Sequence, residues 1–268
     1  GMNLALVPIF LALGAFVGFL AGLLGIGGGF TIVPVLVEVF SSQGIDSSHL
    51  LPLAIGTSAA TIVFTAFSSA RAHHKRGAVA WPIVWAMAPG LVIGSLVGAQ
   101  IASALPMRVM AAVFGSFTWL TAWRMVRSAA PNPTRELPGQ IAMFAMGSLI
   151  GLVAGMVGTG GAFLAVPFMT RCNVKVHTAV ATSAAIGWPV AVAATIGYIY
   201  AGWHHEGLPA YSIGYVNLPA LAGVAAASMA LAPLGAKVAH AWPVDRLKRA
   251  FALMLFVLGA WMWWKALG

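Results

Sequence analysis

The sequence predicts an all-α polytopic membrane protein. It consists of two inverted-topology repeats of about five membrane segments each, with a glycine-broken helix and a short half-helix in each repeat. Three observations predict this class: the composition, a glycine pattern that occurs twice, and the placement of the cations. Of the 268 residues, 60% are hydrophobic and only 7% are charged, and the mean hydropathy is +0.93. Soluble domains carry about 25% charged residues, so lipid covers most of this surface.

Long uncharged segments support the membrane assignment. Four of them lack Asp, Glu, Lys and Arg and exceed the roughly 20 residues that a membrane span requires; they are Leu50–Ala70, Val79–Leu105, Ile141–Thr170 and Thr178–Trp203. The net charge of +9 therefore indicates loop cations that set orientation, and no nucleic-acid partner is expected. The single cysteine, Cys172, excludes an intramolecular disulfide.

A glycine-rich pattern occurs twice, 133 positions apart. The members of the first copy are Gly14, Gly18, Gly22, Gly25, Gly27, Gly28, Phe30 and Pro34, and those of the second are Gly147, Gly151, Gly155, Gly158, Gly160, Gly161, Phe163 and Pro167. Shorter matches recur as well, for example Gly56-Thr-Ser58 with Ala181-Thr-Ser183. The chain is therefore an internal repeat. We expect a first repeat over 1–127, a cytoplasmic linker over 128–138 and a second repeat over 139–268.

The glycine pattern predicts a broken helix in each repeat. Glycines four residues apart lie on one helix face and allow a neighbouring backbone to approach closely. The run Gly25–Gly29 then interrupts the first helix, because consecutive glycines favour non-helical backbone. A short helix resumes over Phe30–Phe40, with Pro34 near its first turn, where proline is tolerated. At about 16 Å it cannot cross a core of about 30 Å, so the break lies inside the membrane.

The cations predict the orientation. Five segments per repeat is an odd number, so the second repeat is expected to be inverted. Of the 14 Lys and Arg residues, only Arg108 and Lys265 fall on one side of the ten predicted segments. The others share the opposite side: Arg71, Lys75, Arg76, Arg124, Arg127, Arg135, Arg171, Lys175, Lys237, Arg246, Lys248 and Arg249. The positive-inside rule then places both termini outside and the central linker in the cytoplasm.

An inverted repeat with two broken helices is typical of transporters, with the substrate site at the midplane. The first turn of each short helix has unpaired N–H groups and a positive dipole end, which favour an anion. No carboxylate lies mid-span to serve a cation. The predicted site combines the glycine breaks with hydroxyl groups at matched positions: Gly27, Gly28, Gly29, Thr57, Ser58, Gly160, Gly161, Ala162, Thr182 and Ser183. We expect no metal and no cofactor.

These motifs resemble the sulfite exporter TauE/SafE family of membrane permeases. The resemblance rests on Gly22–Pro34 and Gly56-Thr-Ser58 with their second copies, and it spans the chain. It implies a bacterial inner-membrane permease for sulfite or an organosulfonate such as sulfoacetate. The second copy departs from the first at Thr159 and Ala162, which replace Ile26 and Gly29, so the two breaks need not act equally.

Other functional interpretations stay open at this point. Glu38, Arg171 and His177 are candidates for coupling or gating, since Glu38 and Arg171 end the two short helices at matched positions. An intramembrane enzyme would pair Ser58 as nucleophile with His177 as base, but a serine twinned at Ser183 argues against it. A passive anion channel is the other alternative. Besides the anion and the bilayer, the sequence leaves a homo-oligomer open.

Overall fold

The computed structural model describes residues 4–24, 28–127, 135–241 and 245–268, and nearly all of them lie in helices. A short 3-10 helix, Leu4–Leu6, precedes the first α-helix. The α-helices are α1 (Val7–Leu24), α2 (Gly28–Ser42), α3 (Ser47–Lys75), α4 (Trp81–Ala104), α5 (Met107–Val126), α6 (Gln140–Val157), α7 (Ala162–Arg171), α8 (Val176–Gly202), α9 (Leu218–Ala241) and α10 (Asp245–Leu267). The predicted all-α class is confirmed.

Eight of the described helices are long and apolar enough to cross a membrane, so the chain is a polytopic membrane protein. The two exceptions are α2 and α7, which follow the two glycine breaks. With 15 and 10 residues, they are about 22 and 15 Å long, shorter than the hydrocarbon core. The expected short helices are therefore present, although α2 extends beyond Phe30–Phe40 at both ends. Gly28 and Gly29, which were expected in the break, are helical, and the remaining residues of the predicted break, 25–27, lie outside the described part of the chain.

The segment before α9 differs from the sequence expectation. We expected one helix from Tyr211 onward, but a small antiparallel hairpin of β1 (Ser212–Ile213) and β2 (Val216–Asn217) occupies its first residues. Tyr211 and Gly214 have positive φ angles of 63° and 53°, which a helix does not allow. The side chain of Asn217 accepts a hydrogen bond from the backbone N–H of Ala220 at 3.1 Å. This cap starts α9 at Leu218.

Two helix pairs approach each other closely at the repeated glycines. A Cβ on Gly14 or Gly18 would overlap the carbonyl oxygen of Val224 or Ser228 on α9. A Cβ on Gly151 would lie 2.5 Å from the carbonyl oxygen of Leu91 on α4. Glycine is required at these positions because the backbones meet where any side chain would stand. The glycines at the α1–α9 contact, Gly14 and Gly18, match those at the α4–α6 contact, Gly147 and Gly151, 133 positions later.

The remaining long helices pack against their own counterparts. Helix α3 runs antiparallel to α8, since Gly56 lies near Tyr198 whereas Gly187 lies near Ala66. Helix α5 likewise packs against α10. When each helix of the first repeat is exchanged with the helix at the matched position of the second, the four pairs α1–α9, α4–α6, α3–α8 and α5–α10 map onto one another. Helix α3 lies centrally: 83% of the residues in its most apolar stretch are buried, whereas the corresponding share for the first membrane span is 33%.

The helix directions gather the cations at one end of the bundle. Helices α3, α5, α7 and α9 end there, and α4, α6, α8 and α10 begin there. We call this the basic end, and it carries the twelve cations that the sequence grouped together. Arg108 and Lys265 lie at the other end, which we call the opposite end.

Substituting Gly18 tests the close approach of α1 and α9. Gly18→Ala should lower the thermal midpoint of the purified protein, because overpacking a close contact costs about 1–3 kcal/mol. The measurement is size-exclusion chromatography after heating, in detergent. Gly139→Ala is the matched control, since nothing lies within 4 Å of a Cβ there and its φ is −66°. Equal midpoints for the two variants would contradict the packing described above.

Candidate functional site

The candidate site is a cavity where the first turns of α2 and α7 meet. The Phe30 and Phe163 rings, which occupy matched positions, pack edge to face with centroids 5.2 Å apart. Beside them lies an open cavity of about 80 Å³. Both short helices therefore direct their N-termini at one shared space.

The cavity wall is mostly apolar, with a few polar groups. Helix α1, the first turns of α2 and α7 and the second break contribute Val17, Ala21, Gly28, Gly29, Phe30, Thr159, Gly160, Gly161, Ala162 and Phe163. The central pair α3 and α8 contributes Ile62, Thr65, Ala66, Ser69, Ser183, Ala184 and Gly187. An apolar wall with a few convergent donors is typical of small-ligand sites.

The second break exposes backbone donors to this cavity. Gly158 ends α6 and Gly161 precedes α7, both in the left-handed region with φ of 72° and 85°, which glycine adopts without strain. Within the described chain, no backbone carbonyl accepts from the N–H groups of Gly160, Gly161, Ala162 or Phe163. These N–H groups form the positive end of the α7 dipole. They can bind an anion or water.

The first turn of α2 is pressed against the second break. A Cβ on Gly29 would overlap the carbonyl oxygen of Gly158, so glycine is required there. Its counterpart Ala162 carries a side chain and still starts a helix. The first turns of α2 and α7 therefore differ in their contacts. Gly27, which was predicted to belong to the site together with Gly28 and Gly29, lies outside the described residues.

The matched serines have different surroundings. Ser58 Oγ donates a hydrogen bond to the carbonyl oxygen of Gly158 at 2.9 Å and does not line the cavity. Ser183 does line it, and its buried Oγ has no hydrogen-bond partner among the described residues. The same holds for Thr159 Oγ1. Unsatisfied buried hydroxyls are costly, so Ser183 and Thr159 are the side-chain donors best placed for a ligand.

The matched threonines accept hydrogen bonds from backbone N–H groups at the starts of two helices. Thr57 Oγ1 accepts from the backbone N–H of Asn217, and Thr182 Oγ1 accepts from that of Ala80, each at 3.0 Å. Asn217 and Ala80 precede the counterpart helices α9 and α4. Both threonines are fully buried and neither lines the cavity. The structure therefore places them outside the cavity wall, where they satisfy orphan N–H groups at helix N-termini.

The cavity lies on one side of the central helix pair, toward the basic end. On α3 the lining residues are in the C-terminal half, and on α8 they are in the N-terminal half. The counterparts of Thr65, Ala66 and Ser69 in the other repeat are Val190, Ala191 and Ala194, and these are at most 1% exposed. The other half of the central pair is therefore packed shut.

Aromatic and histidine side chains contribute to the closure of the opposite end. Tyr198 is fully buried, and its Oη donates to the carbonyl oxygen of Gly155 at 2.6 Å. Farther out, His49 Nδ1 lies 3.1 Å from Tyr215 Oη, and the ring of His205 stacks on Tyr215. Burial raises the pKa of the Tyr215 phenol, so its proton stays in place near neutral pH.

The three candidates for coupling or gating lie away from the cavity. Glu38 forms an ion pair with Lys265 at 2.6 Å. Arg171 ends α7 and His177 lies in the first turn of α8, both exposed. Within the described segments, no cluster of His, Cys, Asp and Glu could hold a metal ion.

Sequence reasoning missed several residues near the site. Thr65 and Thr159 line the cavity, and Arg124 donates to the carbonyl oxygen of Phe163 at 3.2 Å. For Thr159 a signal existed, since a polar residue replaces the matched Ile26. The repeat gave no indication that Thr65 and Arg124 lie near the site. Their positions become relevant only because the cavity is open toward the basic end, which the sequence does not show.

Comparison with known proteins gives consistent matches. The family model described as "Sulfite exporter TauE/SafE" matches residues 10–262. The chain is 36% identical to a probable membrane transporter protein of Haemophilus influenzae, over 95% of this chain and 97% of that protein. It is 26% identical to a probable membrane transporter protein of Methanocaldococcus jannaschii, over 97% and 96%. No solved structure matches significantly. The chain belongs to the sulfite exporter TauE/SafE family of membrane transporters.

Proposed function

We propose that the protein is a secondary transporter for a small anion, namely sulfite or an organosulfonate such as sulfoacetate. One observation carries the proposal: the N-termini of α2 and α7 share a cavity in which backbone N–H groups and the Ser183 and Thr159 hydroxyls have no acceptor among the described residues. Every one of these groups can donate a hydrogen bond. The family description supports sulfite, and a sulfonate presents the same three-oxygen head.

The electrostatics favour an anion over a cation. Two helix N-termini supply a partial positive charge of about half a unit each. No Asp or Glu lines the cavity, and a buried cation without such a partner would be costly. Donors that are already held in place bind an oxyanion without reorganising, which makes this arrangement effective in a site with few waters.

Transport requires that the cavity open to each side in turn. We infer that residues 1–127 and 139–268 are repeats of opposite orientation, with 128–138 as the linker, of which 128–134 lie outside the described residues. The antiparallel packing of α3 against α8 supports this inversion. The excess of cations supports a cytoplasmic basic end and termini outside, in a bacterial inner membrane. The structure is then open to the cytoplasm, and exchanging the roles of the repeats would open the other side.

The alternatives fit the geometry less well. An enzyme with Ser58 as nucleophile would need a base beside it, but the Ser58 hydroxyl is bound to Gly158 and His177 is exposed at the start of α8. A passive channel would need a continuous path, whereas Tyr198, Val190 and their neighbours close the opposite half. Saturable uptake would distinguish a transporter from a channel.

Blocking the cavity should abolish transport. Gly28 lines the cavity, and a Cβ there would lie 3.2 Å from Val17 Cγ1 with no backbone in the way. Gly28→Leu should therefore fold but fill the anion site. The measurement is uptake of radiolabelled sulfite into membrane vesicles at equal protein amount. Gly139→Leu is the control, because that glycine is exposed and far from the site. Normal uptake by Gly28→Leu would exclude this cavity as the site.

The two matched serines should respond differently. Ser183→Ala removes a free donor in the cavity, so the dissociation constant for sulfite should rise about tenfold, the usual effect of losing a hydrogen bond to a charged group. Ser58→Ala instead removes the bond to Gly158 and should lower stability by about 1 kcal/mol with a smaller change in affinity. Ligand-dependent thermal shifts of the purified protein measure both. Equal changes in affinity would contradict the asymmetry of the site.

A further inference from the structure

No charged side chain lines the cavity at the first turns of α2 and α7. Every Lys, Arg, Asp and Glu residue of the chain lies in the segments that the structure describes, and none of them belongs to the cavity wall. No described histidine belongs to it either. A ligand in this cavity therefore meets only backbone groups, hydroxyls and apolar side chains.

The positive charge that the cavity offers comes from the two short helices. Each helix N-terminus is equivalent to about half an elementary charge, and the first turns of α2 and α7 both line this space. Together they supply about one positive charge. The hydroxyls of Ser183 and Thr159 add donors but no charge. Both side chains are more than nine-tenths buried and line the cavity, and their oxygens have no partner among the described residues.

The two hydroxyls can also accept a hydrogen bond, which a backbone N–H cannot do. The wall therefore suits a ligand that carries a proton on one of its oxygens. Ser183 Oγ or Thr159 Oγ1 can accept that proton while the backbone N–H groups donate to the other oxygens of the ligand. A site built from Lys or Arg side chains would offer donors alone.

Arg124 contacts the backbone of a wall residue without lining the cavity itself. Its Nη1 donates to the carbonyl oxygen of Phe163 at 3.2 Å. Pro167 lies four residues later and has no N–H with which to close the usual helical bond to this carbonyl. Arg124 thus supplies the bond that the proline removes. Its side chain is only partly buried, so water and salt screen its charge from the cavity.

We propose that the cavity selects oxoanions whose head group carries a single negative charge. Sulfite is then bound as hydrogensulfite, while the sulfite dianion and sulfate are rejected. This rests on the proposed function and names the charge state of its substrate. The two helix N-termini balance one charge, whereas a second charge on the same oxygens would be buried without a partner, which is costly. The carboxylate of sulfoacetate is not on the sulfonate head and lies outside this count.

The ionisation of sulfite provides the test. Hydrogensulfite loses its proton near neutral pH, so the monoanion dominates in mild acid and the dianion in mild alkali. The dissociation constant for total sulfite should therefore rise with pH in inverse proportion to the hydrogensulfite fraction. Expressed in hydrogensulfite alone, it should stay constant within about twofold. Thermal shifts of the purified protein, each compared with ligand-free protein at the same pH, measure this constant.

Two ligands of fixed charge separate the ionisation of the ligand from that of the protein. Methanesulfonate has a three-oxygen head with one charge throughout this pH range, so it should bind with a constant affinity. Sulfate carries two charges throughout and should bind at least about tenfold more weakly than methanesulfonate. Sulfate binding as tightly as methanesulfonate would overturn the proposal. A dissociation constant for total sulfite that falls as the pH rises would overturn it as well.

A cation introduced at the cavity should relax the selectivity. Ser69 lines the cavity and is only partly buried, so Ser69→Lys adds a charge where a longer side chain has room. This variant should bind sulfate at least about tenfold more tightly than the native protein does. Ser69→Gln is the matched neutral control and should keep the native selectivity. A folded Ser69→Lys protein with native selectivity would contradict the charge balance described above.

Arg124→Gln tests whether the guanidinium contributes to the charge in the cavity. The amide of glutamine can still donate to the Phe163 carbonyl, but the positive charge is removed. The ratio of the dissociation constants for sulfate and methanesulfonate should stay within about twofold of the native value. A larger rise of this ratio would mean that Arg124 balances part of the charge of the ligand, and the proposal would be wrong.

Failure of the proposed function gives a different result. Native protein without saturable uptake of sulfite into membrane vesicles would overturn the proposed function, and the charge selectivity with it. Saturable uptake together with equal affinity for singly and doubly charged head groups would overturn the charge selectivity alone.

Discussion

Backbone groups inside a bilayer must find partners, and this constraint explains most of the structure. A break in a membrane helix leaves N–H groups that lipid cannot satisfy. The protein brings the first turns of α2 and α7 together at the centre of the bundle, where Phe30 meets Phe163, and leaves a cavity beside them. The close helix pairs at Gly14, Gly18, Gly147 and Gly151 hold α1 and α6 in position for this meeting. The glycines that allow α1 and α6 to pack closely against α9 and α4 therefore also help to position the site.

The two repeats share their framework but differ at the site. Thr57 and Thr182 make equivalent hydrogen bonds to Asn217 and Ala80, as expected of a structural role. Ser58 and Ser183 do not, since one is bound to Gly158 and the other faces the cavity. A transporter that alternates between two states needs such a difference at any moment. In the proposed mechanism the framework would stay symmetric while the contacts of Ser58 and Ser183 exchange.

The sequence predicted the helices well because glycine spacing and hydropathy report directly on membrane packing. It also indicated the second break, where Gly158 and Gly161 have positive φ angles. In the first copy Gly28 and Gly29 proved helical, and residues 25–27 lie outside the described part of the chain. It could not separate Ser58 from Ser183, because identical residues at matched positions differ only once one half of the bundle is open. Arg124 was missed for a related reason: it lies near the end of a span, where cations usually set orientation, and only the contact with Phe163 connects it to the site.

The central claim is that an anion binds between the first turns of α2 and α7. The most direct measurement is anomalous X-ray diffraction at the selenium edge from crystals soaked in selenite, a heavier analogue of sulfite. The account predicts an anomalous peak within hydrogen-bond distance of the backbone N–H groups of Gly161 and Ala162, about 2.7–3.2 Å, and near Ser183 Oγ. A peak elsewhere in the protein with this cavity empty would contradict it.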